Sequence, residues 1–584
     1  MLLPIELKIS LSWKDDAAAS YLRRQPRGLP RLSPVISLIF FNSTGSSTYA
    51  PRHSGIIRNN NTPSIHPQES WGKKVQEWMS YCRARHKKCD ETPGACINCT
   101  STGRTCDGYE FHRLPREVRR PGKAVVGITV PASLANGIHW VMNSDEQRAF
   151  AYFQHRSMPA FLGWFDSSLW QKLVLQLSHA EPAVYHAAVA LSAIHQDAEK
   201  KGMPLAREDL DNTWHRFALE QAGRSMVLLN ARRTSQDPRL REVTLLCCLL
   251  FTLSELLRGR YDNAFKHLHG GIHILKNLGA HRQLDSVAMS KPPVEWCLVE
   301  AFAHLDVQST QFGVGGPIWF TDKQDHIQLG NGKSSVFHFH TLAEARRAFD
   351  RVMGTVLEFT AKAWGSTHSQ IASDYETLYK EQLELCLQID TFARAFDTFR
   401  ADTYPQMSPK ERRGADVVHL HQRAATLTLQ TCLLDGNEPV LDQYTPEFEN
   451  ILSLAAAIMH TFPERPSVCF DMGVIPPLTL VATGCRDYNV RWRAIEMLRS
   501  WPHREGTWDS NLCAQLAVHT MKVEAMNNFN VDANGTPADV HNEPSLRGIF
   551  MTVEEDQRQA RISYFLGDVK HELRVMLEED IHPF

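Results

Sequence analysis

From about residue 145 to residue 584, apolar residues recur at three- and four-residue spacing, the signature of helices with one buried face. "EPAVYHAAVALSAIHQ" places Pro182 at a first helical turn, followed by Val184, Ala187, Ala188, Leu191 and Ile194 on one stripe. "SDEQRAFAYFQH" opens with Ser144 and carries Gln147 three residues on, which predicts a helix start closed by a capping box. "RAFDRVMGTVLEFTAKAW", "EQLELCLQIDTFARAF", "RWRAIEMLRSW" and "DQRQARISYFLGDVKHELRVML" predict further amphipathic helices. Period-two alternation is sparse, and "VFHFH" at 336–340 is the best candidate strand. The pattern therefore predicts a mostly α protein with a large helical body over 145–584 and no repeat period. "NNFNVDANGTPADVHNEPSLRG" (527–548) reads as a long surface loop between late helices.

Ahead of this body the periodicity is absent. Residues 1–70 are rich in Ser, Asn, Pro and Gly and read as disordered, or as read-through sequence joined on by an incorrect gene structure. Residues 110–144 hold Pro115, Pro121 and Pro131 among several glycines and form a linker, basic in its first half. No heptad pattern follows, so a zipper is not expected there.

Composition sharpens this division. The chain of 584 residues is too long for one ordinary core, and 43 % apolar content is enough to fold most of it. The net charge of -2 hides an asymmetry: residues 71–125 carry 12 Lys/Arg against 6 Asp/Glu, while the body is acidic. A basic segment ahead of an acidic body suggests an anion-binding module joined to a part that does not bind anions. No run reaches the roughly 18 apolar residues of a membrane span, and "SPVISLIFF" is too short. "MLLPIELKISLSWKDD" lacks the basic start of a signal peptide. The expectation is a soluble, intracellular protein with no membrane partner.

Between the two textures lies "YCRARHKKCDETPGACINCTSTGRTCDGY" (81–109), with Cys82, Cys89, Cys96, Cys99 and Cys106 in a basic context. Clustered thiolates among Arg and Lys suit Zn2+ better than disulfides in a reducing compartment, and four thiolates close a tetrahedral site. Iron–sulfur spacings are tighter. The eight remaining cysteines, from Cys247 to Cys513, sit mostly alone in apolar runs, as buried reduced cysteines do.

The segment closely resembles the DNA-binding domain of fungal zinc binuclear-cluster transcription factors, in which six cysteines hold two zinc ions and the first and fourth bridge both. The resemblance assigns Cys82, Cys89, Cys96, Cys99 and Cys106 as the second to sixth ligands, within a domain spanning 79–109. The first would fall at position 79, which is Met79, and no cysteine occurs before Cys82. A thioether is a poor substitute for a bridging thiolate, and each zinc would keep three protein ligands, with Cys96 the only bridge. The departure leaves two readings open: an incorrect gene structure just upstream, or a degenerate domain with weak or no DNA binding. The resemblance further implies a short helix in the DNA major groove. Arg85 and His86 would read a CGG-like triplet, while Arg83, Lys87 and Lys88 would meet phosphates. His86 is unusual at such a position. Double-stranded DNA, transcriptional co-regulators and a small-molecule effector are the implied partners, and the nucleus the implied compartment.

"TLLCCLLFTLSELLRGRYDNAFKHLHGGIHIL", "HLDVQSTQFG" and "CFDMGVIPPLTLVATGCRDYNVRWRAIEMLRSWPHREGTWDS" extend the resemblance to the all-helical regulatory domain of these factors. Catalytic signals are weak. "FGVGGP" follows no phosphate-binding pattern, and His269 and His273 are separated by Gly270 and Gly271 with no carboxylate in metalloprotease order. His338 and His340 read as structural. Asp306, Asp471 and Glu505 stand in recognisable stretches without forming a catalytic set. The chain is expected not to be an enzyme.

Overall fold

The computed structural model describes residues 101–102, 114, 140, 142–280, 294–310, 337–434, 439–528, 546–554, 558–566 and 568–577. The chain divides into two compact units, 1–111 and 112–584, and nearly all described residues belong to the second.

The second unit opens with α1 (Ser144–Tyr152), which runs through a π turn at Phe153–Ser157 into α2 (Met158–Phe161). Its capping box lies one residue earlier than the sequence predicts. The Asn143 side chain accepts from the Asp145 and Glu146 N–H groups, and Glu146 answers by accepting from Asn143 N–H at 3.1 Å. The carboxylate of Glu146 reaches back from the third helical position, which Gln147 does not occupy in this register. Leu114, in the expected linker, is buried against this helix, and its N–H donates to Asp145 at 3.3 Å.

A first core follows, built by α3 (Val174–Ala180), α4 (Pro182–Lys200), α5 (Thr213–Ala231), α6 (Leu240–Leu257), α7 (Tyr261–Asn277) and α8 (Trp296–Ser309). Pro182 occupies the first turn of α4, as expected. α4 buries Ala183, Ala187, Ala188, Ala190 and Ala193, and α6 buries leucines on nearly every side. Small side chains on one helix and large ones on its neighbours let the backbones approach closely at interior packing density.

The second core gathers α9 (Leu342–Trp364), α10 (His368–Thr403), α11 (Pro409–Thr431), α12 (Thr445–His460), α13 (Ile475–Gly484), α14 (Tyr488–Ser500) and α15 (Ser510–Asn528). Ser408, Pro409 and Glu411 start α11 with a complete capping box. α10 buries Ile371 and then, from Leu378, Gln382, Leu385, Ile389, Phe392, Phe396 and Phe399 at alternating four- and three-residue steps along one seam. Phe337–Phe339 belong to no sheet, contrary to the strand expected there. Phe339 instead packs against Phe392 and Phe399, so ring burial and not strand pairing accounts for the apolar alternation.

Between the cores lies a small three-stranded sheet. β1 (Val468–Cys469) runs parallel to β2 (Arg504–Glu505), which turns at Gly506–Thr507 into antiparallel β3 (Trp508–Asp509). Val468 and Phe470 face the first core and Cys469 the second, as strand alternation requires.

The fold is mostly helical, with one correction at its end. The stretch read as a late helix forms β5 (Gln559–Leu566) and β6 (Val569–Met576), which join β4 (Leu546–Val553) in an antiparallel sheet ordered β4-β5-β6. Ala560 and Ile562 point alternately into a small apolar cluster with Val575. The predicted loop at 527–548 lies almost entirely outside the described residues.

Candidate functional site

All sequence-predicted ligands and DNA contacts, Cys82, Cys89, Cys96, Cys99, Cys106, Arg83, Arg85, His86, Lys87 and Lys88, lie outside the described residues, so their arrangement is not compared. The body cysteines are free thiols, most of them buried. Burial pushes the Cys513 thiol up to about 12 and that of Cys469 well above its ordinary value, which keeps both protonated. Among the described residues no three His, Cys, Asp or Glu side chains converge to hold a metal.

His269 and His273 both lie on α7, and burial lowers the pKa of His269. Gly271 between them is a packing position: a Cβ there would stand 2.1 Å from the Phe302 ring. His338 and His340 meet edge to face on the exposed side of their segment.

The chemistry-bearing side chains that do converge lie at the seam of the two cores. Glu505, at the end of β2, is fully buried and accepts N–H bonds from Gly473 (2.8 Å), Val474 (3.0 Å) and Ile475 (2.9 Å). These are the unsatisfied donors of the α13 N-terminus, where a carboxylate also meets the positive end of the helix dipole. His503 completes the cluster: Nε2 faces Glu505 at 2.9 Å and Nδ1 faces the Trp501 carbonyl at 2.7 Å, with its ring stacked on Trp501. Both ring nitrogens face oxygen atoms, which fixes the ring in place between the Trp501 carbonyl and Glu505.

Asp509 repeats the device for α15, accepting from Asn511 (2.9 Å) and Leu512 (3.2 Å) while pairing with Arg504 at 3.0 Å. Gly506 has φ of 54°, in the left-handed region, and a Cβ there would meet the Gln308 side chain. Gln308 at the end of α8 bonds Thr507 and the Phe470 carbonyl, tying the turn to the first core. From the second core, His421 of α11 bonds the Gly473 carbonyl at 2.7 Å, and Arg346 of α9 pairs with Asp471 while lying 4.1 Å over the Phe165 ring. Beside the sheet, a cavity of about 10 Å³ lined by Phe161, Leu257, Tyr261, Val468 and Trp508 has room for a single water at most. The arrangement caps helices and ties two cores into one body.

Of this network the sequence brought Asp471 and Glu505 to notice without a role. It gave no sign of His503, Gln308, Arg346, Asp509 or His421, whose partners lie far away along the chain or in strands two residues long.

Residues 148–506 match the family described as Fungal specific transcription factor domain. The chain belongs to this family. The matched region of this fungal transcription factor domain runs from α1 to the Gly506 turn, so most of both cores and the Glu505 cluster fall inside it, while β3, the second core's last helix α15 and the β4-β5-β6 sheet follow it. Two relatives cover different shares of the chain. The Aspercryptin biosynthesis cluster-specific transcription regulator atnN of Emericella nidulans is 21 % identical over 633 aligned positions, 89 % of this chain and 98 % of that protein. The Transcription regulator lscL of Purpureocillium lilacinum is 28 % identical over 210 positions, 35 % of this chain and 49 % of that one. No solved structure gives a significant match. Both relatives are named as transcription regulators, which are not enzymes, in keeping with the expectation from sequence. No helix among the described residues is long and apolar enough to cross a membrane.

Proposed function

We propose that this fungal transcription regulator is a zinc-dependent, sequence-specific DNA-binding protein that acts in the nucleus on genes transcribed by RNA polymerase II. The observation that carries the reading is the order of parts: a basic cysteine segment directly ahead of a body that belongs to the fungal transcription factor family. Cys82, Cys89, Cys96, Cys99 and Cys106 supply thiolates of the right chemistry for zinc, which would hold the segment folded. Arg85 and His86 address a CGG-like triplet in duplex DNA, and Arg83, Lys87 and Lys88 the phosphates. The helical body receives the regulatory input, from co-regulators or a small effector.

Met79 at the bridging position favours a second reading, in which the body regulates through protein or effector contacts and the cysteine segment no longer binds DNA. Zinc counting on the purified chain, with and without chelator, separates the two. Two ions per chain, whose removal abolishes DNA binding, are expected. A chain that holds no zinc overturns the first reading for this sequence. Met79→Cys should raise DNA affinity if the segment is a binding domain short of one ligand. Negligible affinity in both forms supports the second reading.

A further inference from the structure

The β4-β5-β6 sheet lies beyond the region that matches the family, and its two edges differ. β4 is bulged between Arg547 and Phe550 and packs against α9 and α15. β6 has no such bulge. It pairs with β5 through eight consecutive residues without a bulge, and among the described residues β5 is its only strand neighbour. Lys570, Glu572, Arg574 and Met576 are exposed on its outer face, and Val569 at its start is 59 % exposed. The hairpin is held in place by Asp568 in its turn, which accepts from Ser369 N–H at 2.8 Å at the start of α10. A regular edge of this length, with no further strand beside it among the described residues, is a template for another strand.

The hydrogen-bond phase restricts what can pair with it. Leu577 N–H donates to the Arg558 carbonyl at 2.8 Å. Counting back along the antiparallel register, the odd-numbered residues of β6 bond to β5, and Lys570, Glu572, Arg574 and Met576 direct their N–H and C=O groups away from the sheet. A second copy of β6 adding antiparallel about a two-fold axis must oppose even-numbered residues to even-numbered residues. Centring on Glu572 sets Glu572 against itself, and centring on Arg574 sets Arg574 against itself; both are like-charge pairs. Centring on Leu573 sets Glu572 against Arg574 of the second copy twice over, Lys570 against Met576, and Val569 against Leu577. Their partners within the chain are loose: Glu572 lies 3.8 Å from Arg561 and 3.9 Å from Lys570, and Arg574 lies 3.8 Å from Glu554, all beyond hydrogen-bond length.

We infer that β6 is a self-association edge, through which two copies of this chain join their sheets into one about a two-fold axis at Leu573, with Glu572 of each copy facing Arg574 of the other. An isologous contact of this kind uses one patch twice. Centring on His571 would also face Lys570 with Glu572, but that register runs out at the turn residue Asp568, whereas centring on Leu573 pairs the strand from Val569 to Leu577. The strand edge is smaller than a standard interface, so the association is in about the micromolar range.

The test is a charge exchange in the full chain, read by sedimentation velocity over a concentration series. Wild type should show a concentration-dependent dimer. Glu572→Arg and Arg574→Glu should each raise the dissociation constant at least about tenfold, since each turns two attractive pairs into repulsive ones. The double variant should recover wild-type association, because the exchanged charges again oppose each other. A separate measurement uses geometry: under mild oxidation Leu573→Cys should give a disulfide-linked dimer beyond the wild-type background, since a residue on the two-fold axis faces its own copy at about 4.5 Å between Cα atoms. His571→Cys, which would face Val575, should not. A wild-type chain monomeric at every concentration, single reversals that associate normally, or a double variant that fails to recover overturns the inference.

Discussion

The two cores hold similar sets of buried rings but differ in how their central helices pack. The first sets an alanine-rich helix, α4, against the leucines of α6, so its density comes from backbones drawn close together. The second stacks rings, with Phe392, Phe396 and Phe399 aligned along α10 and Trp164 and Trp501 set beside Phe462. A helix contact made of small residues has no slack for added volume, and a stack of rings loses most when a ring is removed. The seam between them is polar, and its carboxylates cap helices that belong to the second core.

The largest effects should come from the ring stack and the seam. Phe392→Ala removes a fully buried ring and should cost about 3–5 kcal/mol in chemical denaturation. Glu505→Ala leaves three buried N–H donors and His503 without their acceptor and should cost a similar amount, about 3–5 kcal/mol. Calorimetry distinguishes the two. The seam variant should split unfolding into two transitions, one for each core, whereas the ring variant should lower a single one.

Acid should act next, through buried histidines. Burial lowers the pKa of His195 to about 4, and the same cause, helped by Lys266 and Arg258, lowers His267 to about 4. Both belong to helices of the first core. Each is neutral when folded and takes up its proton at about 6.5 when unfolded. Stability from this source is therefore full above pH 6.5 and falls as the pH drops toward 4, by up to about 3 kcal/mol for His195. In His195→Gln the slope of stability against pH over this window should flatten, as urea titrations at several pH values would record. The smallest effect expected is Gly271→Ala, about 1–3 kcal/mol, because the new methyl meets the Phe302 ring in a core that cannot widen. An equal loss for added methyls in the ring stack would remove the distinction between the two.

Much of this was legible in the sequence where the signal is local. Pro182, and Leu342–Trp364 with its apolar stripe, announce their helices because helix periodicity and first-turn chemistry lie within a few residues. The last hairpin misleads for a physical reason. Ile562, Phe565, Val569, Leu573 and Met576 recur at three- and four-residue spacing, while Ala560, Ile562 and Tyr564 alternate. Both periods fit, and period two is the one the segment adopts, as strands β5 and β6. The seam was illegible because its bonds join residues 30 or more positions apart, such as Glu505 to Ile475, or nearly 200 apart, such as Thr507 to Gln308. The cysteine segment, whose spacing is read without any fold, lies almost wholly outside the described residues, and its reading stands as a proposal.

Three residues, Val468, Cys469 and Phe470, are shared between the cores in alternation. This has a consequence for how such a body can change by recombination. Exchanging either half for that of a relative brings in a side chain for one core at a position whose neighbours are shaped by the other. A functional chimera would have to carry this tripeptide, and the Gln308 and Glu505 contacts around it, from a single parent. The two halves should therefore exchange only as one piece, even though each buries its own apolar residues.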